Sequence, residues 1–174
     1  YAIGDVHGEI EKLDRLLEYI REDARRLGAA YRIVFLGDLI DRGPDSRGVV
    51  ERAKSLCESG EAIAIKGNHE ELMLHACDQR ESVGIYWWAE NGGDETILSY
   101  VRVNGYADDF REAIDPAHLS WLRGLPVMVR DETRGLVFVH GGIWKAQDRR
   151  FFQPSHVGVC GVGLFLREPY SSSL

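Results

Sequence analysis

Three apolar runs, each closed by a glycine and then a polar residue, constrain this chain more than any other feature. Tyr1-Ala2-Ile3 precedes Gly4-Asp5, the stretch 31–36 precedes Gly37-Asp38, and the stretch 61–66 precedes Gly67-Asn68. The runs have the composition of short buried strands. After the first, Ile10, Leu13, Leu17, Ile20, Ala24 and Leu27 recur at steps of three and four, one helical face closed by Gly28. After the second, a loop with Pro44 and Asp45 leads to Val49, Val50, Ala53, Leu56 and Cys57, a second helix stopping near Gly60. A third helix is expected to start at 68–76. Strand, turn and helix three times over predict a parallel sheet. Its polar turn residues then fall at the C-terminal strand ends, where open α/β sheets bind ligands.

The remainder has less periodicity. The segment 87–101 (WWAENGGDETILSYV) reads as a loop followed by a helix, and 116–126 as a short helix ended by Gly124 and Pro126. Residues 127–142 read as a hairpin, two apolar strands around a charged turn at Gly135, ending in His140-Gly141-Gly142. At 174 residues the whole, 1–174, is taken as a single domain.

The turns carry the chemistry. Singly, an Asp after a strand is a common helix cap and a lone His a common surface residue. Asp5, His7, Asp38, Asn68, His69 and His140, however, all fall at predicted strand ends of one sheet. Oxygen and imidazole donors without thiolate suit Mn²⁺, Fe or Zn²⁺ in an open site. Two ions about 3.5–4 Å apart require a bridging carboxylate, and Asp38 in the middle turn is the natural one. Rival sites lack support: the chain has no GxxxxGK[ST], no GxGxxG after a strand, and no GxSxG to accompany the HGG at 140–142.

Net charge and cysteines narrow the class. A formal charge of -7 excludes a nonspecific nucleic-acid binder, which needs a basic face. No apolar run approaches the roughly 20 residues of a membrane span, so no membrane partner is expected. Cys57, Cys77 and Cys160 are an odd number without CxxC spacing, which points to a reducing cytoplasm rather than a disulfide framework. His75, His118 and His156 read as structural or surface residues, and Trp87 and Trp88 as core or cleft wall.

The motifs GDVHG (4–8), GDLIDRG (37–43), GNHE (67–70) and HGG (140–142), in this order and spacing, resemble the calcineurin-like metallophosphoesterases. Within them they resemble the phosphoprotein phosphatase branch, the bacterial and phage-type serine/threonine phosphatases. The resemblance covers about residues 1–143, and NGGDETILSY (91–100) extends it. It implies an α/β fold of two packed mixed sheets flanked by helices. It implies two divalent metals, one held by Asp5, His7 and Asp38 and the other by Asp38, Asn68 and His140. His69 would be the general acid, Asp41 would orient its imidazole, and Arg42 would bind phosphoryl oxygens.

Dinucleoside tetraphosphate hydrolases of the same branch resemble GNHD and lack the Asp of the DRG segment. GNHE and Asp41 therefore direct the expectation to phosphoserine or phosphothreonine in proteins, with manganese as the expected metal. Dinucleoside tetraphosphate hydrolysis is the alternative. A third reading is a metal-binding or interaction remnant, because the tail 144–174 lacks the Gly-His-Thr motif expected to complete the second metal site. The tail's LREP (166–169) resembles a family stretch supplying a second phosphate-binding residue, here Arg167. The chain thus reads as truncated or frame-shifted at its C-terminus, with an unpaired sheet edge in consequence. The oligomeric state stays open.

Overall fold

The computed structural model describes residues 1–78, 82–142 and 163–166, with the backbone alone at 82 and 163–166. Three parallel strands, β1 (Ala2–Ile3), β2 (Ile33–Phe35) and β3 (Ala62–Ala64), form one sheet in the order β1-β2-β3. Ile3 lies opposite Phe35, and Phe35 opposite Ala64. The intervening helices are α1 (Ile10–Leu27) and α2 (Ser46–Glu58), as the periodicity predicts. α1 buries Leu13, Leu17, Ile20 and Ala24 and ends at Gly28 with φ 62°. Leu27, assigned from its spacing to the buried face, is instead exposed at the last position of the helix. α2 starts at Asp45, whose side chain accepts a hydrogen bond from Gly48 N at 2.8 Å.

Every residue of the central strand is buried, and successive side chains go to opposite faces. Ile33 and Phe35, with Ala62 and Ala64, face the helical core containing Leu17, Val50 and Met73. Val34, Leu36 and Ile65 face the other way and pack on Phe138. A strand covered on both faces must be apolar throughout, which explains the unbroken runs in the sequence. The covering layer is a second sheet of β4 (Met128–Asp131), β5 (Leu136–Val139) and β6 (Gly163–Leu166), all antiparallel. The expected α/β fold with two packed sheets is present, and the mixture of strand directions lies between the sheets rather than within either. β6 pairs along β5, Val139 opposite Gly163 and Leu136 opposite Leu166, and is the end strand of this sheet among the described residues. His140, expected at an end of the same sheet as the other candidates, instead follows β5 of the second sheet.

In sequence, five helices come between the strands of the two sheets: α3 (Asn68–Asp78), α4 (Ser82–Trp88), α5 (Asp94–Asn104), α6 (Phe110–Ala113) and α7 (Pro116–Gly124), and they contribute Met73, Trp88, Tyr100, Ala113 and Leu122 to the helical core. The segment expected as a loop before α5 is helical. α4 continues through a π-helical turn, Ala89–Gly93, and the direction changes at Gly92, where φ is 92°. Asn-Gly-Gly, a loop signal in isolation, here kinks a helix. No helix among the described residues is long and apolar enough to cross a membrane.

The turns after β2 and β3 approach so closely that both need glycine. A Cβ on Gly37 would lie 2.5 Å from Gly67 N, and one on Gly67 would lie 2.1 Å from Asp38 Oδ1. Glu70, fully buried, fastens the two turns together. Its carboxylate accepts from Gly67 N at 2.7 Å, Asp38 N at 2.9 Å and Leu39 N at 2.7 Å. Burial and the neighbouring Asp38 charge push this carboxyl above its usual range, while the three N–H donors pull it down. Glu70→Gln keeps the shape but turns one acceptor into an NH₂ that faces a backbone N–H. The variant should lose about 1–3 kcal/mol of stability in urea denaturation; an unchanged midpoint and slope would show that the clamp carries no weight.

Candidate metal centre

The first two turns are stitched to one another before any side chain is considered. Val6 N and His7 N both donate to Asp38 O at 3.0 and 2.9 Å, and Gly8 N donates to Leu39 O at 2.9 Å. His7 and Asp38 adopt left-handed backbone, with φ 44° and 51°. That conformation is costly for a residue with a Cβ and persists only where surrounding contacts enforce it. Here it turns both side chains to the same side of the strand ends.

Asp38 is the centre of the arrangement. Its Oδ1 accepts from His69 N at 3.0 Å. Its Oδ2 lies 3.3 Å from His140 Nε2, 3.9 Å from His7 Nε2 and 4.0 Å from His69 Nε2. Burial alone would raise this carboxyl, but the contact with His140 and the His69 N–H hold it below the ordinary range. His140 moves the opposite way, raised to about 9 by Asp38 against the effect of its own burial. Two groups of donor atoms, each within 4.8 Å of one another, share Asp38: His7, Asp38 and His69 form one, Asp5, Asp38 and His140 the other. Asp38 is thus common to both, as a bridge must be. Asp5, expected beside His7, falls in the group with His140, while Asn68 Oδ1 lies 2.9 Å from His140 Nε2.

The donor set fits divalent metal. His7 Nδ1 donates to Ile40 O at 2.8 Å and His140 Nδ1 to Leu36 O at 2.8 Å. A carbonyl only accepts, so both Nε2 atoms are turned toward Asp38 Oδ2. Histidines that bind metal are oriented in this way by a backbone carbonyl on the other nitrogen. Carboxylate, carboxamide oxygen and imidazole without thiolate suit Mn²⁺, Fe or Zn²⁺.

Beside this cluster stands a second set. His69, with 1% of its surface exposed, places Nδ1 2.7 Å from Asp41 Oδ2. Arg42, exposed and with φ 68°, donates from its guanidinium to His7 Nε2 and His69 Nε2, each at 3.0 Å. The arrangement therefore gathers a cation, an imidazole backed by a carboxylate, and two shared-ligand clusters around one opening. Those are the components needed to grip a phosphoryl group and protonate a leaving oxygen.

All eight candidates from Asp5 to His140 come together; Arg167 lies outside the described residues, as do His156 and Cys160. His118 is buried between Tyr100 OH at 3.0 Å and Glu51 Oε2 at 2.8 Å, and has no part in the site. Three contributors escaped the sequence reading. Glu70 was visible in GNHE but its backbone-clamping role was not. Trp88, read as core or cleft wall, is fully buried and donates from Nε1 to the Asp41 carboxylate at 3.0 Å. Thr96 lies in the 91–100 stretch that extends the resemblance but had no role assigned, yet its hydroxyl donates to Asp41 Oδ1 at 2.7 Å.

Comparison with known proteins agrees with this geometry. Residues 1–170 match the family described as calcineurin-like phosphoesterase. A symmetrical bis(5'-nucleosyl)-tetraphosphatase of Ralstonia nicotianae is 32% identical over 145 residues, 82% of this chain and 41% of that protein. The protein of the same name from Methylococcus capsulatus is 34% identical over 152 residues, 84% of this chain and 45% of that one. The chain thus spans less than half the length of these curated relatives. Among solved structures, one proposed to be a diadenosine tetraphosphatase superposes with a TM-score of 0.57 at 24% identity, covering 85% of this chain and 53% of the other. Motifs, metal-type cluster and relatives lead to one conclusion: the chain belongs to the calcineurin-like phosphoesterase family, whose members use divalent metals.

Proposed function

We propose that this chain forms the catalytic core of a metal-dependent hydrolase of dinucleoside polyphosphates. The observation that carries the reading is the 32–34% identity, over more than four fifths of the chain, to relatives named for that activity. The features that directed the sequence reading to phosphoproteins do not touch substrate. Glu70 and Asp41 both have 0% of their surface exposed, one clamping backbone and the other backing His69. A Glu in GNHE therefore sets the spacing between two turns and says nothing direct about what enters the site.

In this reading Asp5, His7, Asp38, Asn68 and His140 would hold two divalent ions, Asp38 being common to both donor groups. The ions, when bound, would supply Lewis-acid polarisation of the phosphoryl oxygens and activation of the attacking water. The chain's own groups do the rest. Arg42 exchanges its contacts with the two Nε2 atoms for phosphoryl oxygens, to which its forked guanidinium can donate twice. That exchange frees His69 Nε2 to carry a proton toward the leaving oxygen. Asp41, accepting from Nδ1, keeps the ring turned to the opening throughout. Water thus splits a P–O–P link, and a symmetrical tetraphosphate gives two nucleoside diphosphates.

Turnover of a dinucleoside tetraphosphate in Mn²⁺ should exceed that of a phosphoserine peptide in kcat/KM and vanish in chelator. A faster peptide reaction would overturn the substrate assignment, and full activity in chelator with no residual metal would overturn the metal. His69→Asn should lower kcat by about 10²–10⁴, so an unchanged kcat would remove His69 from proton transfer. In calorimetric titration Asp38→Asn should weaken both Mn²⁺ sites together. One site surviving at full strength would show that Asp38 does not bridge.

A further inference from the structure

Asp41 receives far more attention from the rest of the molecule than orienting one imidazole requires. Besides His69 Nδ1, its two carboxylate oxygens accept from Trp88 Nε1 (3.0 Å to each) and Thr96 Oγ1 (2.7 Å). Its own N–H donates to Thr96 Oγ1 at 2.9 Å and to Ser46 Oγ at 3.0 Å, and those two hydroxyls lie 2.8 Å apart. Asp41, Ser46, Trp88 and Thr96 are each 0% exposed. An acceptor-only carboxylate held by two ring N–H donors of fixed direction and a hydroxyl has one orientation available.

The backbone is held by the same segment. Asp41 and Arg42 have φ 73° and 68°, left-handed values without glycine. Arg42 N donates to Gly92 O at 3.0 Å, at the kink between α4 and α5. A Cβ on Gly92 would lie 2.8 Å from Arg42 N, so this approach requires glycine there. Trp88, Gly92 and Thr96 are spaced four apart and meet Asp41-Arg42 from one side. The π-helical turn between them, Ala89–Gly93, is what lets both the indole and the hydroxyl reach one carboxylate.

We propose that Trp88 and Thr96 are positioning residues for proton transfer, fixing Asp41 and through it the His69 imidazole. Neither touches substrate. Their contribution is rigidity: an imidazole whose partner can rotate no longer keeps Nε2 aimed at the leaving oxygen. The inference rests on the reading of His69 as the proton donor, and it goes beyond that reading by assigning the catalytic geometry to the α4–α5 kink. A buried pair with a merely structural role would destabilise the fold and lower activity independently of His69.

The test compares Thr96→Val, which keeps the shape and removes the hydroxyl, and Trp88→Phe, which removes the indole N–H, with each change also made in the His69→Asn background. With a dinucleoside tetraphosphate and Mn²⁺, each single variant should lower kcat by about 10–100-fold, the scale of a slightly misplaced catalytic group, with KM unchanged. In the His69→Asn background neither should cost anything further, and Thr96→Ser should recover most of the loss. Losses that multiply with His69→Asn, or that fall on KM, would overturn the proposal. Metal-free protein supplies a second arm that needs no turnover: the His69 Nδ1–H resonance, identified by its disappearance in His69→Asn. It should be sharp and protected in the wild type and in Thr96→Ser, and lost or broadened by exchange in Thr96→Val and Trp88→Phe. An identical resonance in Thr96→Val would overturn positioning. Should no phosphoester be hydrolysed at all, the functional reading falls while this arm alone judges the proposal.

Discussion

The contact between the Gly37-Asp38 and Gly67-Asn68 turns is the constraint from which the rest follows. Two parallel strands can bring their ends this close only if neither turn carries a Cβ at the point of contact. The Glu70 carboxylate then gathers three N–H groups from both turns, groups that would otherwise be buried without partners. With that seal in place, Asp38 cannot move relative to His69, whose N–H it holds, nor relative to the first turn, which donates two hydrogen bonds to its carbonyl. Everything placed around Asp38 Oδ2 inherits this rigidity.

Strain is confined to the same place. The four non-glycine residues with left-handed backbone among the described residues are His7, Asp38, Asp41 and Arg42. Each is a candidate for metal, proton or phosphate chemistry. A backbone strained by roughly 1–3 kcal/mol per residue needs supports that over-determine it. They are visible: the first turn bonded to Asp38 and Leu39, and the α4–α5 kink bonded to Arg42 and Asp41. The fold therefore spends its buried hydrogen bonds where geometry matters most, and leaves Asp5 and Arg42 exposed to meet ligand.

The parts of this site legible in the sequence were those that repeat. A glycine and a polar residue after each apolar run announces strand ends, and the spacing of Leu13, Leu17 and Ile20 announces the helix that returns the chain to the sheet. What could not be read depends on contacts between distant segments. Nothing local marks Thr96 as a partner of Asp41, 55 residues away. Asn91-Gly92-Gly93 has loop composition, yet helix runs up to it on both sides and the break is confined to Gly92, whose carbonyl accepts from Arg42 N. In the sequence Glu70 points to substrate choice, whereas its surroundings make it a tie between backbones. The tail's departure from the expected pattern gave no hint of β6, which pairs along β5.

The central claim is that a single carboxylate, Asp38, joins two metal positions at these strand ends. Electron paramagnetic resonance of the protein loaded with two equivalents of Mn²⁺ tests it most directly. Two ions sharing one bridging carboxylate should give the broadened spectrum of an exchange-coupled pair, which Asp38→Asn should abolish. A spectrum of magnetically isolated Mn²⁺ in the fully loaded protein would contradict the account.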